Sequence, residues 1–168
     1  MSAYCHTLRT HLDYSAWATA RLLDAAAQLT PEELNKDFAT ADRSVLGTLR
    51  HIFSADRVWL GRIEGAPPDV FQVEYGLPEL KTEWASLNAR WKSWAANLDD
   101  AAVATELEYR DLKGRTWKQP LHEIVLHVVN HATHHRGQVS GFLRALGHTP
   151  PPLDLIHYYR QQMGAASA

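Results

Sequence analysis

The stretch from Leu80 to Leu98 constrains the fold more than any other. Its apolar residues Leu80, Trp84, Leu87, Trp91, Trp94 and Leu98 are separated by alternating steps of four and three. On a helix turning about 100° per residue, that spacing keeps all six on one stripe. A stripe carrying three tryptophans must be covered, so this segment, starting near Pro78, reads as one seam of a helix bundle.

The rest of the chain supplies the partners. A first helix is expected from about Cys5 to Leu29, with Leu8, Leu12, Ala16, Leu23 and Ala26 on one face and Thr19 as the polar member of the series. Thr30-Pro31 breaks it, and "TPEEL" reads as a cap followed by a short extra turn. A second helix opens at Ser44, a good N-cap residue, and runs to about Glu64, where "EGAPPD" ends it. Residues 99–119 alternate partially around Lys113-Gly114, as a small two-stranded crossover would. A last long helix starts at Pro120 and stops at "LGHTPPP", with Gly147 placed to end it. "LDLIHYYRQQ" adds a short terminal helix. The expectation is an all-α four-helix bundle, formed as a single domain over residues 1–168.

Composition excludes several classes of function. With 17 basic and 19 acidic residues the net charge is −2, which gives no electrostatic footprint for nucleic acid; Lys113 to Lys118 is a short, interrupted turn. No segment approaches the roughly 18 apolar residues that span a bilayer, and no signal peptide is visible, so a cytoplasmic protein without membrane contact is expected. The single cysteine, Cys5, can form neither an internal disulfide nor a cysteine-based zinc site. Its neighbour His6 points about 100° away on a helix, so no nucleophile–base pair is supported there.

Histidine is where the chemistry concentrates. The chain has ten, and His127, His131, His134 and His135 fall within nine consecutive positions. With His127 set at zero on a helical wheel, the apolar stripe of Ile124, Val125, Val128, Ala132, Val139, Phe142 and Leu143 centres near about 110°. His131 comes at about 40° and His135 at about 80°, beside that stripe, whereas His134 at about −20° faces water and His122 at about 220° lies on the far side. Histidines at i and i+4 stack on one helix face and can reach one ion. A polar helix edge would carry such a pair equally well, but the ladder His127, His131, His135 beside an apolar stripe places neutral imidazoles where they need partners. A third ligand from elsewhere is required. The second helix offers His51, which borders the face of Leu49, Ile52 and Trp59, so periodicity alone does not select it.

Two superficially similar motifs fail. "HEIVLH" puts its histidines five apart, about 140° out of alignment, unlike the zinc-protease H-E-x-x-H. No Glu-x-x-His occurs, although di-iron carboxylate bundles need two.

Nearly the whole chain resembles the DinB/YfiT superfamily of damage-inducible bacterial proteins. The resemblance is carried by "RSVLGTLRHIFSADRVWLGRIEG" and by "HEIVLHVVNHATHHRGQVSGFLRALGHTPPPLDLIHYYR", with its H-x-x-N-H-x-x-x-H-R-G-Q run. It implies an up-down-down-up bundle, a homodimer, and a divalent metal ion, zinc or nickel, held by one histidine of the second helix and two of the fourth. Those map onto His51, His131 and His135. His127 then becomes a neighbour of the site, or an alternative ligand if the register is offset by a turn. Gln138, at about 20° on the same wheel, is placed to orient a ligand; for it and Arg136, plain surface or packing roles remain open. Three neutral histidines leave a coordination position free, as in catalytic zinc sites. The resemblance implies a metal-dependent thiol S-transferase or thiol-dependent isomerase acting with a low-molecular-weight thiol. A non-catalytic metal-binding stress protein and a metal-dependent hydrolase stay as alternatives, because no residue identifies the substrate. Arg57, Trp59 and Tyr159 are candidates for a pocket rim, each equally readable as packing or surface.

Overall fold

A computed structural model describes residues 2–66 and 71–166. The order of elements is α1 (Ala3–Ala26), α2 (Pro31–Asn35), α3 (Val45–Ile63), α4 (Leu77–Ala96), α5 (Asp100–Ala104), β1 (Glu106–Arg110), β2 (Thr116–Pro120), α6 (Leu121–Ala145) and α7 (Leu155–Ala166).

The four long helices α1, α3, α4 and α6 form the bundle. Their directions follow from side chains that meet. Tyr4 touches His122 and Arg136 reaches Ser15, so α1 and α6 run parallel. His51 meets His131 while Trp59 meets His127, so α3 opposes α6. Arg9 caps the end of α4 at Ala96, and Lys81 pairs with Asp24, so α4 opposes α1. The arrangement is the up-down-down-up bundle that the family resemblance implies.

The seam of α4 is buried as its periodicity requires: Leu80, Trp84, Leu87, Trp91 and Leu98 all lie in the core, and Trp94 is half-buried edge-on to Trp91. Each large apolar side chain taken fully from water stabilises the bundle by about 1.5–3 kcal/mol. Trp84 also packs against Phe53 of α3. The same core includes Leu8, Leu22, Leu49, Ile52, Val125, Val128 and Leu143.

Helix boundaries follow local chemistry. Ser2 caps α1 by accepting from the Cys5 N–H, so this helix starts and ends two to three residues before the expected Cys5–Leu29. Ala16, expected on its core face, is only half-buried because it lines a cavity of about 210 Å³ between α1 and α4. Thr30 and Glu33 form a reciprocal capping box on α2. Ser44 caps α3 through the Gly47 N–H. Beyond α3, Pro67 and Pro68 of the expected stop signal lie outside the described residues. Helix α6 ends in a Schellman motif, with the Gly147 N–H on the Arg144 carbonyl and the His148 N–H on the Leu143 carbonyl. Gly147 has φ of 85°, the left-handed conformation that this motif needs and glycine adopts without strain.

Strands β1 and β2 pair antiparallel, with Tyr109 opposite Trp117, confirming the two-stranded crossover. Helix α7 docks on α1, where Tyr158 packs against Tyr14 and Trp17 and Tyr14 donates to the Leu153 carbonyl at 2.8 Å. Among the described residues, no helix is long and apolar enough to cross a membrane.

Candidate metal centre

The antiparallel packing of α3 on α6 brings His51 onto the face that carries His131 and His135. Ligand-type nitrogens of these three residues all lie within 4.8 Å of one another. His51 Nε2 and His131 Nε2 are 3.0 Å apart, and the His135 ring centre is 4.4 Å from that of His51 and 4.5 Å from that of His131. Two imidazole nitrogens on one zinc ion stand about 2.9–3.4 Å apart for angles between 90° and tetrahedral, given bonds of about 2.0–2.1 Å. The donor set therefore fits a divalent ion, and the three residues can hold one.

The outer nitrogens are held from behind. Gln138 Oε1 lies 2.7 Å from His135 Nδ1, one turn along α6. The Asp42 carboxylate approaches His51 Nδ1 at 3.4 Å and His135 Nδ1 at 3.7 Å. Gln138 favours a proton on His135 Nδ1 and the Asp42 carboxylate favours one on His51 Nδ1, which leaves the Nε2 lone pair of each ring available to an ion. Lone pairs converging in a half-buried site call for a cation. His131 Nδ1 is buried without a hydrogen-bond partner.

Electrostatics agrees. Burial, reinforced by the neighbouring imidazoles, pushes His131 down to about 3. Burial also lowers His51, opposed by Asp42 and helped by His135. Both rings are accordingly neutral near pH 7, the form that binds metal.

Asp42 was not legible in the sequence, because it lies in a loop and carries no periodicity. The loop is tied down by hydrogen bonds from the Phe38 N–H to the Arg43 carbonyl (2.7 Å) and from the Ser44 N–H to the Asp42 carbonyl (2.7 Å). The second closes a three-residue turn about Arg43, whose φ of 62° is unusual for a residue with a side chain. Gly47 makes room for it: a Cβ there would overlap the Asp42 carbonyl oxygen. The one available signal was a carboxylate beside the cap of the histidine-bearing helix, which is where an imidazole N–H finds an acceptor.

The other candidate residues sort clearly. His127 is exposed and does not join the three; its ring lies 5.8 Å from that of His131 and 5.2 Å from Trp59. His134 is exposed, as its wheel position requires. His122 turns away to the Val103 carbonyl and Tyr4. Tyr159 stands on α7 beside Tyr158 and lines no part of the cleft near the histidines. Cys5 is buried and donates to Asp100, which raises its thiol pKa; it is no nucleophile for this site.

Arg136 corrects the surface reading left open for it. It is 2% exposed, with Nη1 on Ser15 Oγ at 2.8 Å and Nη2 on Thr133 Oγ1 at 2.8 Å. Its guanidinium also lies over the Tyr14 ring. Asp56 of α3 provides a nearby opposite charge, although burial pushes that carboxyl up to about 7 against the pull of Arg136 and a hydrogen bond with Trp84.

A cleft of about 970 Å³ opens between the end of α3 and the hairpin, with Arg57 on its wall. Phe71 lines it and also meets His51 edge-on, with ring centres 5.7 Å apart. Trp59, packed between His127 and Tyr109, stands beside it.

A family model described as DinB family matches residues 1–165. Protein DinB of Bacillus subtilis (strain 168) is 22% identical over 152 residues, covering 84% of this chain and 87% of that protein. Among solved structures, a DinB-like protein from Bacillus cereus is 23% identical with a TM-score of 0.66, covering 83% of this chain and 91% of its own. A conserved protein from Enterococcus faecalis is 16% identical with a TM-score of 0.63, over 86% and 96%. A DinB-like protein from Bacillus subtilis is 17% identical with a TM-score of 0.60, over 91% and 98%. At such identities the structural likeness speaks for the fold.

Proposed function

Since the chain belongs to the DinB family, we propose that His51, His131 and His135 bind a divalent metal ion, zinc or nickel, and that the site serves thiol transfer or thiol-dependent isomerisation. The observation that carries this reading is the convergence of three imidazoles, two of which, His51 and His135, have Asp42 or Gln138 at their outer nitrogens. Three protein ligands leave a position for substrate, as catalytic sites do and closed structural sites do not. The chemistry such an ion supplies is Lewis acidity, which favours the thiolate form of a small thiol at neutral pH.

The protein's own residues do the rest. Asp42 spans His51 and His135 and so fixes the separation of α3 and α6 at the site. Gln138 sets the tautomer of His135. Phe71 walls the His51 side and gives an electrophile an apolar surface leading to the cleft. The homodimer implied by the family resemblance belongs to this proposal and is read by sedimentation.

Turnover of a haloarene or epoxide with a small thiol tests the reaction. The reading expects thiol consumption by the wild type and its loss in His51→Ala. A hydrolysis product formed without thiol would support the hydrolase alternative instead.

A further inference from the structure

Among the described residues, the cleft that Phe71 joins to His51 carries more arginines than carboxylates. Besides Arg57, which has a partner of its own, Arg62, Arg90 and Arg110 line it, against the carboxylates of Glu108 and Asp111. Those carboxylates have partners of their own: Asp111, whose charge also acts on Arg62, accepts from Arg115 Nε at 2.7 Å and Trp117 Nε1 at 3.1 Å, and Glu108 faces Lys118. Arg90 is paired with Glu64. Among the described residues, no carboxylate forms an ion pair with Arg62 or Arg110.

Arg62 is also held in place. Its guanidinium lies 4.5 Å from the centre of the Trp59 ring and 5.0 Å from that of Tyr109, and Nη2 donates to the Arg110 carbonyl at 2.8 Å. A guanidinium seated against two touching aromatic rings loses little entropy on meeting an anion, and its planar fork suits carboxylate and phosphate.

We propose that this cleft recognises the anionic end of an elongated small molecule, through Arg62 and Arg110. The placement sets its length. Arg62 is eleven residues beyond His51 on α3, or about 16 Å at 1.5 Å per residue. A molecule about 10–15 Å long, with a carboxylate or phosphate at one end, spans from Arg62 past Trp59 and Phe71 to the histidines. That its other end reacts at the histidines rests on the metal-site reading above; recognition of the anion does not.

Calorimetric titration at low ionic strength tests the inference with inorganic phosphate, glutarate and the neutral glutaramide as probes. Wild type stripped of metal with a chelator and His135→Ala should bind an anionic probe with equal affinity, and whichever of phosphate and glutarate binds more tightly identifies the anion class. Arg62→Gln should weaken that binding about tenfold or more, and glutaramide should not bind. Arg110, which is exposed, provides a second variant, Arg110→Gln, should Arg62→Gln fail to fold; it should weaken binding several-fold. The inference is overturned if neither anion binds the wild type at about 10 mM, if glutaramide binds as well as the anions, or if the arginine variants bind like wild type. Loss of metal in His135→Ala with anion binding kept separates this inference from the metal-site reading.

Discussion

The backbone carbonyl of Asp42 occupies the space where a side chain at Gly47 would stand. This contact lets the loop before α3 fold back over its first turn, and so delivers the Asp42 carboxylate to His51 and His135. Gly47→Ala should push the loop away, cost about 1–3 kcal/mol of stability and weaken metal binding about tenfold or more through loss of Asp42. Thermal melts and competition with a chelator read the two effects separately; unchanged affinity would mean that Asp42 does not support the site.

Gln138→Leu keeps the helix and much of the side-chain volume but removes the acceptor from His135 Nδ1. Metal affinity should fall about 10- to 100-fold with little change in melting temperature in the metal-free protein. An equal loss of stability in that form would mark Gln138 as a packing residue.

Asp56 gives the fold a pH dependence. Its carboxyl titrates at about 7 in the native protein against an ordinary value of 3.8, so the native state binds this proton more tightly than the unfolded chain. The resulting stabilisation is complete below about pH 4 and is lost as pH rises through about 7. Urea unfolding between pH 4 and 8 should show this decline as the difference between wild type and Asp56→Asn, because the lowered His51 and His131 add an opposing rise with pH to both profiles. Parallel profiles would contradict it.

Removing the buried cation should be costly. Arg136→Met leaves Ser15 and Thr133 without a donor and Asp56 without its nearby opposite charge, and should destabilise by about 3–5 kcal/mol. Adding Asp56→Asn should recover part of that loss, and strict additivity in the double-mutant cycle would show that the two residues do not interact.

These residues also show where sequence reading succeeds. Burial of Trp84 and Trp91 follows from spacing alone, because periodicity reports which face of a helix is covered. Gly147 was recognisable because a Schellman ending demands a left-handed residue. His131 and His135 were recognisable because i,i+4 residues share a face. His51 needed the family resemblance, since it borders its apolar stripe and only the antiparallel packing of α3 on α6 makes it inward. Asp42 needed the loop conformation itself. Arg136 belongs to the core because Ser15, Thr19, Thr133 and Tyr14 surround it, and such partners, drawn from two helices, leave no trace in the pattern of one. Ala16 fails in the opposite sense: its spacing is that of a core residue, but the neighbouring helix does not close over it.

The central claim, that three histidines hold one divalent ion, is tested most directly by elemental mass spectrometry of untagged protein, wild type beside His135→Ala. About one equivalent of zinc or nickel in the wild type, absent from the variant, is the expected result. A wild type that takes up no metal, even after incubation with zinc, nickel and manganese, would contradict it.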